Sequence, residues 1–314
     1  MQSSRHVSVI WGVVFVGCAA MVLLNALGNV PEGMFDIFLR ALPAVLIFAG
    51  LSIVLPARVP LGGVVALIIT GILIAGVTIT AYSNRAGKTQ DAQQQTINQV
   101  IGETVSLLQI NIETRDTDVE LRASDSTNII SGSFVGSTES ELTINYIEDA
   151  DGRGTFTFSE APMRDFPLLE ALGRGTLEIL VPTGIPVSLA FDGDAGNVLF
   201  DMSNLALERL NLTLAEGGVG VTLPEYEPQS PNATDQPGTL TANNGDITIF
   251  VPESVAVRFE LNRQGSGIDP QFDDRTYLYL VGDVLESRTY ETAGVALRYI
   301  VTAPDGQISI QNLP

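Results

Sequence analysis

The sequence predicts a membrane section of three α-helical spans, followed by an all-β domain built as a solenoid-like stack of β-repeats. Three observations predict this architecture. Three apolar runs of about twenty residues come first, and short alternating strands that open on glycine recur later in the chain. The charge is also divided: residues 1–88 hold five basic and two acidic residues, a net charge of +3, which leaves −23 for the rest of a chain whose total is −20.

Residues 1–83 form the predicted transmembrane section, with spans at about 7–28, 35–55 and 60–82. Each run is long enough to cross a hydrocarbon core of about 30 Å. Arg5 and Arg58 favour a cytoplasmic N-terminus, which places the acidic domain on the opposite side of the membrane. Two alternatives are weaker: a set of buried core helices, and a lipoprotein cleavage box ending at Cys18, which is followed by apolar rather than polar residues.

Residues 84–100 are polar and rich in glutamine, which predicts a linker, and residues 101–314 form the predicted β-repeat domain. Period-two alternation after residue 101 is typical of half-buried strands. Five phrases then repeat a glycine and a strand: GTLEILVPTG from Gly175, GNVLFDMSN from Gly196, GVGVTLPEY from Gly218, GDITIFVPES from Gly245 and GQISIQNLP from Gly306. Such repetition favours stacked units that share one core. A Greek-key β-sandwich is the alternative architecture.

Composition excludes several classes of function. The charge of the β domain would repel a phosphate backbone, so we expect no nucleic-acid partner. The single histidine, His6, and the single cysteine, Cys18, both belong to the membrane section, which excludes histidine- and cysteine-dependent catalysis in the β domain. Neither a phosphate-binding loop nor a dinucleotide fingerprint is present in the sequence. We therefore predict a protein that is not an enzyme, with no catalytic residues and no cofactor.

Two acidic loops are the only candidates for a metal site. Asp192 and Asp194 with Asn197 could offer oxygen ligands to Ca²⁺, but the spacing lacks a full binding loop and a bidentate glutamate. The second loop contains Asp269, Asp273 and Asp274. The favoured interpretation of the first is a turn in which Asp and Asn bind their own backbone, and that of the second is a solvated loop, so no metal site is predicted. A hydrolase with paired carboxylates stays open as a distant alternative.

Apolar spans leading into VPTGIPVSLAFDGDAGNVLFDMSNLALERLNLTLAEGGVGVTLPEY and then NNGDITIFVPES resemble the LiaF-like family. That family is related to the toastrack, or adhesin-like, β-repeat domains, and its membrane section is of the LiaI–LiaF type. The resemblance implies a multi-pass protein of the bacterial cytoplasmic membrane with an extracytoplasmic β domain. It further implies an accessory role in sensing cell-envelope stress, with the lipid bilayer and a sensor histidine kinase or other envelope protein as partners.

The alternative function is a structural or adhesive cell-surface module, for which the spans are only an anchor. The repeated phrases support the fold far better than they support either function, because they consist of structural glycines and strands. An exposed strand at the end of a β stack could pair with a second copy, so a homo-oligomer also stays open.

Overall fold

The computed structural model describes residues 89–137, 140–163, 173–229, 237–262 and 269–313, together with six isolated helical positions, Ile68, Gly71, Ile72, Ala75, Gly76 and Ile79. The chain divides into two compact units, residues 1–88 with 163–173, and residues 89–162 with 174–314. Apart from those six positions, the three predicted spans lie outside the described residues. Within the described residues, no helix is both long enough and apolar enough to cross a membrane.

The second unit is an all-β domain, which confirms the prediction for the region after residue 101. Its described residues form seventeen strands and one short 3-10 turn, Tyr290–Thr292. The strands are β1 (Gln93–Val100), β2 (Leu107–Ser124), β3 (Ile129–Gly136), β4 (Ser140–Glu148), β5 (Arg153–Pro162), β6 (Gly175–Pro182), β7 (Val187–Ala195), β8 (Val198–Asp201), β9 (Leu207–Glu216), β10 (Val219–Thr222), β11 (Gly238–Asn244), β12 (Ile247–Pro252), β13 (Val255–Asn262), β14 (Tyr277–Leu280), β15 (Val284–Ser287), β16 (Val295–Thr302) and β17 (Ile308–Leu313).

The strands form two sheets that share β2. The front sheet has the order β4-β5-β2-β7-β9-β11-β16-β13-β15-β14, and the back sheet has the order β1-β3-β6-β2-β8-β10-β12-β17. A rung is one front strand followed by one back strand, such as β7 and then β8. Neighbouring rungs pair in parallel, as a stack of repeats requires, whereas a Greek-key sandwich is built from antiparallel strands.

The rungs do not follow chain order at either end of the stack. The first rung in sequence, β2, lies between the β5–β6 rung and the β7–β8 rung. The last rung, β16–β17, likewise lies between β11–β12 and β13. Antiparallel strands then cover both ends, β1, β3 and β4 at one end and the β14–β15 hairpin at the other. This insertion explains why the final glycine phrase lies so far from the fourth in sequence.

Glycines stack on one another at the corner where each front strand turns into its back strand. A Cβ on Gly217 would overlap the carbonyl oxygen of Gly196, and Gly245 and Gly306 have the same relation to the glycine of the rung before. Gly217 also has φ 127°, a conformation that a side chain disfavours. The sequence phrase placed Gly218 at this corner, which is wrong by one residue, because Gly217 is the position in register with the other glycines.

The core lies between the two sheets and consists of the inward-facing residues of nearly every strand. The positions after each corner form continuous rows across the back sheet, for example Leu177, Val119, Val198, Val219, Ile247 and Ile308. Aromatic rings fill the interior near the corner, where Phe191 meets Phe200 edge-on with ring centroids 5.5 Å apart. A single repeat could not bury these side chains, so stacking is what stabilises each rung.

One part of the predicted linker belongs to the domain. Residues Gln93–Val100 form β1, an antiparallel edge strand on β3. Only Ile97 of this strand is buried, and the remaining side chains are polar or exposed. A strand that buries one side chain has almost no period-two signal, which explains why its glutamine-rich composition indicated a linker.

Candidate functional site

The structure separates the residues of the first predicted acidic loop. Asp192 and Asp194 lie on the outer surface of β7, where the Asp194 carboxylate pairs with the Arg115 guanidinium. Asn197 lies beyond the corner, and its backbone N–H donates to Asp118 Oδ1 at 2.7 Å. Its own side-chain Oδ1 accepts the Gly218 N–H at 3.2 Å. The Asp118 and Asn197 side chains therefore link neighbouring rungs at the corner, whereas the sequence interpretation expected Asp and Asn to bind the backbone of their own turn.

The second acidic loop forms a hydrogen-bonded turn that leads into β14. Asp273 Oδ1 accepts the Arg275 N–H at 3.0 Å, and the Asp273 carbonyl accepts the N–H groups of Thr276 and Tyr277, both at 3.0 Å. The carbonyl of Asp274 accepts a hydrogen bond from Arg288 at 3.0 Å. Across the described ranges, no group of three or more His, Cys, Asp or Glu side chains is arranged to hold a metal ion.

Sequence reasoning missed a buried carboxylate at the place where β2 crosses between the sheets. Glu160 is 7% exposed and accepts hydrogen bonds from Thr117 Oγ1 and Ser140 Oγ, both at 2.7 Å, and from the Arg115 N–H at 3.1 Å. The pKa of the adjacent Asp116 is raised, first by loss of hydration and then by the charge of Glu160. In the alternating pattern of β5, Glu160 takes the inward-facing position that follows Phe156 and Phe158. This alternation is the sequence signal that could have revealed the buried carboxylate.

A cavity of about 210 Å³ opens on the front sheet, at the starting ends of β9 and β16. We call it the notch; Arg209, Arg298, Glu208, Glu227, Tyr290 and Pro237 are among the residues that line it. The pairing of Gly238 with Tyr299 places Pro237, the residue before β11, level with Arg298. The chain therefore presents a proline and a glycine here instead of long side chains. The notch exists because the middle strand is nearly bare between two strands that carry arginine.

A β-bulge forms one wall of the notch. The pairing of β7 with β9 passes from Val187–Leu207 directly to Ser188–Arg209, which leaves Glu208 as the extra residue. Glu208 is 8% exposed, and its carboxylate accepts Tyr226 OH at 2.6 Å and the Gln229 N–H at 3.1 Å. Burial and this hydrogen bond raise the pKa of Tyr226 to about 12. The bulge therefore ties the segment after β10 to the wall of the notch.

The opposite wall carries Arg298 and Tyr290, and Arg258 lies behind it on the next strand, β13. Arg298 Nε donates to Glu260 Oε1 at 3.0 Å, and Arg258 Nη1 donates to Glu286 Oε2 at 3.1 Å. Burial raises the pKa of the half-buried Tyr290, and the positive charges of Arg258 and Arg298 oppose that rise. The phenol therefore lies within electrostatic reach of both guanidinium groups. The notch thus combines hydrogen-bond donors, acceptors and an aromatic ring in one place.

No protein-family model and no curated protein matches the chain. The chain is similar to a solved structure described as a "putative cell adhesion protein" from Clostridium sporogenes ATCC 15579, with a TM-score of 0.57, 14% identity, and coverage of 70% of this chain and 100% of that one. A "putative adhesin" from Bacteroides fragilis NCTC 9343 matches at 12% identity over 72% of this chain and all of its own length, with a TM-score of 0.24 on which no argument rests.

At such low identity, the first likeness establishes the fold and not the function. The fold agrees with the toastrack-like β domain that the sequence resemblance implied. The description of the first structure does not mention the LiaF type.

Proposed function

We propose that the chain is a membrane-anchored, non-enzymatic cell-surface module whose β domain makes adhesive or structural contacts outside the cell. The observation that carries this proposal is the outer surface of the front sheet, where polar and acidic side chains continue in register across six strands. One such row consists of Ser159, Glu113, Asp192, Thr213, Thr241 and Thr302. A broad polar surface on a rigid stack suits contact with a macromolecule better than it suits chemistry on a small substrate.

The fold of the Clostridium sporogenes protein supports this choice, since the present chain covers that entire structure. The three predicted spans supply the anchor, and the predicted orientation places the acidic domain outside. A strong negative charge keeps copies of such a domain apart and soluble at a surface. The stress-sensing role implied by the LiaF-like resemblance stays a prediction, and no feature of the described residues favours it over adhesion.

An anchor swap separates the two functions. Residues 1–83 would be replaced by an unrelated membrane anchor, and adhesion of cells that display the protein would be measured on abiotic and cell-coated surfaces. The adhesive proposal expects the swapped protein to restore adhesion, because the β domain alone makes the contact. Loss of function on swapping, with the β domain still displayed, would favour a kinase modulator that works through its spans.

Sidedness tests the premise of the proposal. Cysteine would replace Asp305, which is exposed in the turn before β17, in a Cys18→Ser background. A membrane-impermeant thiol reagent would then be applied to intact cells, after permeabilising any outer membrane. Labelling is expected if the domain is extracytoplasmic. Labelling only after lysis would place the domain in the cytoplasm and would overturn the adhesive proposal.

A further inference from the structure

We propose that the notch is a binding site for one ring of a neutral carbohydrate. This inference rests on the proposed adhesive function and names the kind of ligand that the β domain would hold. Four features of the notch carry it: its construction, its mixture of polar groups, its charge and its size.

The notch is a built feature of the stack rather than a loose contact between loops. Among the strand pairs that the described residues form, only β7 and β9 show a register shift, and it occurs at the Glu208 bulge beside the notch. Bulges re-aim side chains and are enriched beside binding sites. A Cβ on Gly238 would lie 2.5 Å from Tyr299 Cε1 and 2.9 Å from the Leu210 carbonyl oxygen, so any side chain at this lining position would displace its neighbours. Two local departures from the repeat therefore coincide at one cavity.

The polar groups of the notch match a sugar hydroxyl, which both donates and accepts hydrogen bonds. Arg209 and Arg298 are donors, the exposed carboxylate of Glu227 is an acceptor, and the phenol of Tyr290 can be either. The ring of Tyr290 and the nearby Pro237 offer apolar surface to the C–H face of a sugar. Ligand sites commonly combine a few placed polar groups with such apolar walls.

Electrostatics decides against a charged ligand. The whole β domain carries a large negative charge, which lowers the local concentration of anions. Within the notch, Arg209 and Arg298 oppose the entry of a cation, whereas Glu208 and Glu227 oppose the entry of an anion, so the lining has no net formal charge. Arg298 is already shared with Glu260 and cannot give its full charge to an anion. A neutral polyhydroxylated ring avoids both penalties.

Size limits the ligand to one ring. A volume of about 210 Å³ is smaller than the roughly 300–1,000 Å³ of pockets that enclose drug-sized molecules. The notch also opens on the polar front sheet, so the rest of a longer glycan can continue along that surface. We therefore expect the notch to select a terminal or branching sugar unit within a larger chain.

The test uses the full-length protein in lipid nanodiscs and saturation-transfer NMR. The probes are the methyl glycosides of glucose, galactose, mannose and N-acetylglucosamine, with glucuronic acid and glucosamine as charged comparators. We expect at least one neutral glycoside to bind more tightly than either charged sugar. The Arg209→Ala variant should bind it at least about tenfold more weakly, because charge-assisted hydrogen bonds are the stronger ones.

Arg153→Ala is the matched control, since Arg153 is an exposed arginine on β5 outside the notch, and it should bind like the unmodified protein. Absence of saturation transfer with every neutral probe would overturn the proposal, as would undiminished binding by Arg209→Ala or tighter binding of a charged sugar. Cell adhesion that persists in Arg209→Ala would reject the notch as the adhesive site while leaving the proposed function standing. Loss of adhesion in Arg153→Ala as well would reject the notch as the specific cause.

Discussion

The strands β9, β11 and β16 are closed at one end and open at the other. At their far ends, each reaches the corner where glycine packs against the glycine of the next rung, with no room for a single methyl group. At their starting ends, the same strands leave the notch, where arginines face each other across a proline. The difference teaches that the repeat produces the fold, and that departures from the repeat produce a site.

The corner should be far less tolerant of substitution than the notch, and Gly217→Ala tests this most strongly. The new Cβ would overlap a carbonyl oxygen of the neighbouring rung, and φ at Gly217 is positive, so we expect a loss of more than about 4 kcal/mol. Thermal unfolding of the full-length protein in detergent, followed by circular dichroism, would show a fall of more than about 8 °C.

The adjacent Gly218→Ala is the control for that experiment. A Cβ at Gly218 would meet only Asn197 Oδ1, at 3.5 Å, so its midpoint should stay within about 2 °C of the unmodified protein. Equal effects at Gly217 and Gly218 would contradict the stacked corner.

Glu208→Ala tests the wall of the notch and should have the second largest effect on stability. It removes a buried acceptor and leaves Tyr226 OH and the Gln229 N–H without their partner, at a cost of about 1–3 kcal/mol. Limited proteolysis should cut near residues 226–229 faster in this variant, because that segment loses its tie to β9. The exposed Glu225→Ala should be cut at the original rate; similar cutting of both variants would argue against the tie.

The pH dependence of thermal unfolding in Asp116→Asn tests whether a single carboxylate charge affects stability. The raised pKa of Asp116 means that its ionised form is disfavoured in the folded state, so its charge lowers stability at neutral pH, by an amount that the solvent exposure of this side chain keeps small. The asparagine variant should therefore unfold at a higher temperature than the unmodified protein at pH 7. The gain should shrink as pH falls through the raised pKa, because Asp116 then becomes neutral by itself. A gain that is independent of pH would show that charge is not its cause.

Arg209→Ala should have the smallest effect on stability. The Arg209 side chain lines the notch and, among the described residues, forms no ion pair. We expect the unfolding free energy to change by about 0.5 kcal/mol or less. A fall of several degrees in the thermal midpoint would mean that Arg209 supports the fold, and the contrast between corner and notch would weaken.

The sequence predicted the part of the fold that repeats. The prediction that Gly196, Gly245 and Gly306 lie at the turns is correct. The rungs approach so closely at the corner that there is no room for a side chain, so glycine recurs there. The one-residue error at Gly218 arose because two glycines are adjacent and only backbone register distinguishes them. The insertion of β16–β17 before β13 has no local signal, since every rung presents a similar apolar row to its neighbours.

The candidate site could not be predicted in the same way. Glu208 and Arg209 lie together in ALERLNL, and only the skipped pairing with Ser188 shows that Glu208 is the extra residue of a bulge. Arg298 is distant in sequence and becomes a neighbour only because β16 is inserted next to β11. The acidic loops attracted attention because carboxylates are conspicuous in sequence, yet Asp194 pairs with Arg115 of the neighbouring strand β2 and Asp273 binds the backbone of its own turn.

The order of the rungs also governs when the protein can be finished. Synthesis proceeds from the N-terminus, so β13 and the hairpin of β14 and β15 leave the ribosome before β16, which must lie between β11 and β13, and before β17, which ends the back sheet. The closing hairpin therefore cannot settle against the stack until the last strands have been made. A chain that stops after residue 294 lacks β16 and β17, so it loses an internal strand of the front sheet and not an edge strand. It also loses Arg298 and one wall of the notch.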